Sequence, residues 1–139
     1  MKHMKLERRA ALRWGCALLW TALALVALLQ SSGKPVLGPP APPGPPSPER
    51  EFLLTLGHVV VFTGLTALWW WAFSVHLPGH TALMMAVFLA LCLGISTEIA
   101  QTAIPDRSAS WADLSVNFLA TAVTAWWIQR RTSPAAPPG

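Results

Sequence analysis

The chain has 139 residues, of which 53% are hydrophobic and 12% charged, and a formal net charge of +4. Soluble domains carry roughly a quarter of their residues as charged side chains, so this composition excludes an ordinary water-facing domain and makes lipid the expected solvent. The basic residues cluster in short flanks rather than along one helix face, which argues against a nucleic-acid partner.

Four segments reach the roughly 20 mostly apolar residues that a spanning helix needs: 14–30, 52–74, 81–103 and 111–128. The expected fold class is therefore all-α, an integral membrane bundle of four transmembrane helices. Residues 1–32 form a basic flank and the first helix, 33–51 a proline-rich linker, 52–129 a three-helix membrane core and 130–139 a tail. Cys16 and Cys92 both lie in apolar runs, where a thiol usually behaves as a small hydrophobe, so neither a disulfide framework nor a metal knuckle is expected.

In chain order, Lys2, Lys5, Arg8, Arg9 and Arg13 stand against the single acid Glu7 and precede the first apolar run. A basic head on a short apolar body also describes a secretory leader. The length of the run and the lack of an A-x-A-like site after it favour a retained helix. Residues 33–48 read GKPVLGPPAPPGPPSP and hold eight of the 13 prolines, which rules out a helix and predicts an extended spacer.

Glu49 and Glu51 suit the positive end of the second helix. His58, six residues beyond Phe52, then sits about 9 Å into that segment. Its plain structural role is a hydrogen bond between helices. Trp69, Trp70 and Trp71 fall near the far end, where indoles favour the membrane interface. His76-Leu-Pro-Gly-His80 is a tight turn whose histidines are expected to face water. They lack a third ligand for a metal, and no metal or cofactor is expected.

The third helix must end before Pro105. Five residues before Ala103, Glu98 lies about 7.5 Å deep, close to the level of His58. Gly94, Glu98 and Gln101 are spaced i, i+4, i+7 and share one face. Ser110-x-x-Asp113 has capping-box spacing for the fourth helix, Asn117 lies one turn deeper, and Ala120, Thr121 and Thr124 continue as a small-residue stripe that permits close packing.

Assigning helix ends alternately puts Lys2, Lys5, Arg8, Arg9, Arg13, Arg130 and Arg131 on one side, and Lys34, Arg50 and Arg107 on the other. By the positive-inside rule the seven mark the cytoplasm, so both termini are expected inside. His58, Glu98, Arg107, Asp113 and Asn117 then converge at the outer face. Ionisable groups within apolar runs cost enough to suggest function by default.

These residues resemble the VanZ-like family of bacterial membrane proteins: His58 with Phe62 and Leu65, then Glu98-x-x-Gln101, Pro105-x-Arg107-Ser108, Ser110, and Asp113-Leu114-x-x-Asn117, across residues 52–128. The resemblance implies a small multi-helix protein of the bacterial inner (plasma) membrane, linked to low-level resistance to the glycopeptide teicoplanin. Its expected partners are membrane lipid and a lipid-linked cell-wall precursor or the glycopeptide. On this reading Gln101, Arg107, Ser108 and Asn117 bind ligand, and Glu98, His58 and Asp113 are the candidate catalytic groups. Several functions stay open: a pocket that binds an envelope ligand, an enzyme using Glu98 and His58 as acid and base, a purely structural clasp, and a small transporter or proton relay.

Overall fold

The computed structural model describes residues 2–30, 36, 47–104 and 110–132. They form four α-helices: α1 (Lys2–Leu29), α2 (Pro48–Phe73), α3 (Gly79–Gln101) and α4 (Trp111–Thr132). Most of the proline-rich linker, residues 105–109 and the C-terminal tail lie outside the described residues.

Several helices outrun their apolar segments. α1 continues back through the basic flank to Lys2, because Lys, Arg, Glu, Leu and Ala all favour helix whether or not they are apolar. α2 starts four residues before Phe52, at Pro48, where a missing N–H costs nothing. Ser47 caps it, its hydroxyl accepting from the Arg50 N–H at 3.4 Å. α4 extends to Thr132, with Arg130 and Arg131 in the last turn facing the negative end of the dipole.

α1, α2 and α3 are each long and apolar enough to cross a membrane. α4 falls short of them in apolarity, since its 22 residues include Asp113, Asn117, Thr121, Thr124, Gln129, Arg130 and Arg131. The chain is thus all-helical with three membrane-length apolar helices.

The helices alternate in direction. α2 packs against all three others and α3 against both α1 and α4, whereas α1 and α4 do not meet. The two inner faces are complementary in size. On α3, Ala82, Ala86, Ala90 and Gly94 are buried at every fourth position, and α2 turns Phe62, Leu65 and Trp69 inward. Small residues let helix backbones approach where lipid offers no hydrophobic drive. α4 buries Asn117, Ala120, Thr121, Thr124 and Ile128, the face expected from its spacing.

α1 is fastened rather than merely adjacent. Gly64 leaves room for the Trp20 ring, which lies where a Cβ at that position would stand, and the Trp20 indole donates to the Val61 carbonyl at 3.1 Å. In the same seam the Trp69 indole donates to Thr21 Oγ1 at 2.9 Å, and that hydroxyl donates to the Ala17 carbonyl. Trp14 meets Trp69 and Phe73 edge-on. Trp69 is therefore a buried element of the α1–α2 seam and not part of an interfacial belt, because its one polar atom finds a partner inside the protein. The outer surface is apolar: Leu19, Leu23, Phe88, Ile99 and Leu119 are exposed, as is Cys92.

Candidate functional site

The alternation of helix direction brings the end of α1, the first half of α2, the end of α3 and the start of α4 to one end of the bundle. His58, Glu98, Gln101 and Asn117 are buried there, none more than 5% exposed.

His58 Nδ1 lies 2.8 Å from Asn117 Oδ1. The amide oxygen only accepts, so Nδ1 carries the proton and donates. No described residue bonds to Nε2. Phe62 lies parallel to the imidazole, their planes 5° apart and centroids 6.5 Å apart. Gly94 makes room for this arrangement: a Cβ there would stand 3.2 Å from Phe62 Cε1 and 3.7 Å from Asn117 Cβ. His58 is thus oriented by Asn117, with the Phe62 ring parallel to its own.

Glu98 plays two parts. Its Oε2 accepts from the Ser110 backbone N–H at 2.9 Å. Ser110 is the N-cap of α4, with its hydroxyl accepting from the Asp113 N–H at 3.3 Å. In an ordinary capping box the third helical residue returns to the N-cap amide; here that amide is taken by a carboxylate from α3. Glu98 Oε2 therefore ties α3 to the start of α4. Its other oxygen, Oε1, is buried with no partner among the described residues.

Gln101 Nε2 donates to the Leu28 carbonyl at 2.9 Å. That carbonyl belongs to the last turn of α1, where helices leave acceptors unsatisfied. Gln101 is thus a fastening between α1 and α3, and α1 becomes part of the wall. Neither depth nor spacing signals this pairing.

Two more buried atoms lack partners among the described residues, Asn117 Nδ2 and Thr121 Oγ1. Asn117 and Thr121 are one turn apart on the same face of α4. Buried polar groups normally find partners, and each orphan costs about 1–3 kcal/mol. Together with Glu98 Oε1 they offer a carboxyl oxygen, an amide donor and a hydroxyl.

Of the expected site residues, the structure brings His58 and Asn117 into contact, and buries Glu98 and Gln101 near the end of α3 at the same end of the bundle. Asp113, half-buried in the first turn of α4, joins the cap through its backbone N–H, and its carboxylate has no partner among the described residues. Arg107 and Ser108 lie outside the described residues. Thr121 is an addition. Sequence reading places it in a packing stripe, and only the missing partner marks it out.

No family model matches the chain, and neither a curated protein nor a solved structure matches it.

Proposed function

We propose that this chain is a four-span protein of the bacterial inner membrane whose outward-facing polar pocket binds an envelope ligand, in keeping with its resemblance to the VanZ-like family. Both termini are cytoplasmic on this reading, and the ligand is a lipid-linked cell-wall precursor or a glycopeptide such as teicoplanin. The observation that carries the binding reading is the set of orphaned buried atoms, Glu98 Oε1, Asn117 Nδ2 and Thr121 Oγ1. A clasp gains nothing from leaving them unpaired, whereas a ligand with both donors and acceptors satisfies all three.

A second reading is favoured by the 2.8 Å contact of His58 with Asn117. An oriented imidazole whose Nε2 has no partner among the described residues, together with the Glu98 oxygen in the same condition, has the makings of an acid–base pair acting on the same lipid-linked substrate.

Incubating the purified full-length protein with radiolabelled lipid-linked precursor separates these readings. Retention without turnover is expected for the binding pocket and turnover for the enzyme; neither retention of precursor nor of labelled teicoplanin would defeat both. The topology has its own check. A cysteine placed at Ser108 is expected to react with an impermeant maleimide on intact cells, and one placed at Ser133 only after permeabilisation; the reverse pattern overturns the orientation.

A further inference from the structure

The end of the bundle opposite the polar site has a different chemistry. Among the described residues it holds Arg8, Arg9, Arg13, Arg130 and Arg131 against Glu7, while Glu49, Glu51, Glu98 and Asp113 lie toward the other end with Arg50. Three of these arginines are seated on tryptophan rings: Arg13 over Trp71 at 5.0 Å, Arg130 over Trp126 at 4.3 Å and Arg131 over Trp127 at 4.8 Å.

Arg13 differs from the other two. Arg130 and Arg131 are exposed on the last turn of α4, but Arg13 is partly buried in the notch between α1 and α2. Its Nη1 donates to the Trp71 carbonyl at 3.3 Å and to Ser74 Oγ at 3.5 Å, and the Ser74 hydroxyl itself donates to the Trp71 carbonyl at 2.9 Å. One nitrogen thus holds the side chain in place. The other edge of the guanidinium, Nε and Nη2, has no partner among the described residues. A planar two-donor edge matches two oxygens of a phosphate. His76, exposed in the α2–α3 turn with its ring 6.4 Å from that of Trp14, adds a further donor nearby.

We propose that this notch holds the phosphodiester of an anionic phospholipid, gripped by the free edge of Arg13. A lipid is the source rather than a free anion because the notch opens between two helices long and apolar enough to span, and α1 leaves Leu12, Leu18 and Leu19 exposed as a path for an acyl chain. The grip adds a lipid contact at the Arg13 end of α1, whose other end is tied to Gln101. The proposal rests on the membrane-spanning reading and is independent of what the polar pocket binds.

The test uses the full-length protein. Carbonate extraction of membranes comes first: release of the protein would overturn the spanning reading and this proposal with it, whereas an embedded protein leaves the lipid question to be decided separately. Native mass spectrometry in detergent then compares bound phosphatidylglycerol with bound phosphatidylcholine. The wild type is expected to favour phosphatidylglycerol about fivefold, a preference shared between the positive charge and the two-donor fork. Arg13→Gln is expected to bring the two lipids to parity. Arg13→Lys keeps the charge without the fork and is expected to fall between them, while Arg130→Gln with Arg131→Gln keeps the preference. Helix content by circular dichroism screens the variants, and if Arg13→Gln does not fold, Arg13→Lys carries the result. A wild-type preference in Arg13→Lys overturns the proposal, as does displacement of phosphatidylglycerol by an equal concentration of inorganic phosphate, which would assign the notch to a free anion.

Discussion

Glu98→Gln is expected to accumulate in membranes at the wild-type level and to lose retention of lipid-linked precursor by roughly 10- to 100-fold, the worth of one hydrogen bond to a charged group. The two oxygens of Glu98 have separate tasks, and the substitution divides them. A glutamine keeps one acceptor oxygen, which can still receive the Ser110 N–H and hold the start of α4. Its amide nitrogen then stands where Oε1 was, a donor in place of an acceptor, in the part of the site where no described residue answers it. Stability thus reads the tie, and ligand retention reads the free oxygen. A Glu98→Gln protein with normal abundance and full retention would sink the functional reading of Glu98 and leave the clasp as the better account of the whole cluster. One that fails to accumulate would instead show that the negative charge itself is needed at the α4 cap, and Ser110→Ala, which removes the adjoining hydroxyl acceptor but not the amide, should then be milder.

The largest effect on stability is expected at Gly64. Replacing a helix-interior glycine by alanine ordinarily stabilises by about 1 kcal/mol, but here the added Cβ would stand 2.5 Å from two atoms of the Trp20 ring. The ring has little freedom to retreat, since its indole is bonded to the Val61 carbonyl. Overpacking of this kind costs about 1–3 kcal/mol, so Gly64→Ala is expected to melt below the wild type in detergent despite its better propensity. The sign should reverse once the obstacle is gone: in a Trp20→Ala background, Gly64→Ala is expected to be neutral or stabilising. Equal destabilisation by Gly64→Ala in both backgrounds would show that the Trp20 contact is not what glycine serves at this position. Because Gln101 is tied to the α1 carbonyl of Leu28, displacement of α1 should also reach the polar site, and Gly64→Ala is expected to weaken precursor retention without touching any pocket residue.

Much of this protein is legible in the residues themselves. Hydropathy run length places the helices, because a backbone in lipid has to satisfy its own hydrogen bonds. Proline and Ser47 account for the start of α2, and the spacing of Ser110 and Asp113 anticipates the cap that the structure contains. Helical depth puts His58 and Glu98 at one level, since distance along a helix is fixed by its rise. The stripe of Ala82, Ala86, Ala90 and Gly94 could also have been read, from small residues at every fourth place.

Tertiary structure decided the partners. His58 meets Asn117 and not Glu98, Glu98 takes a backbone amide of α4, Gln101 reaches the last turn of α1, and Trp69 turns inward to Thr21. Sequence spacing tells which residues share a face but not which faces meet. That depends on how each helix is rotated about its own axis, and here the rotation is set by shape: a tryptophan against a glycine between α1 and α2, and large side chains against an alanine stripe between α2 and α3. Helix periodicity carries no information about such fits, so the site's location along the bundle was readable from the chain while its hydrogen bonds were determined only when the four helices packed.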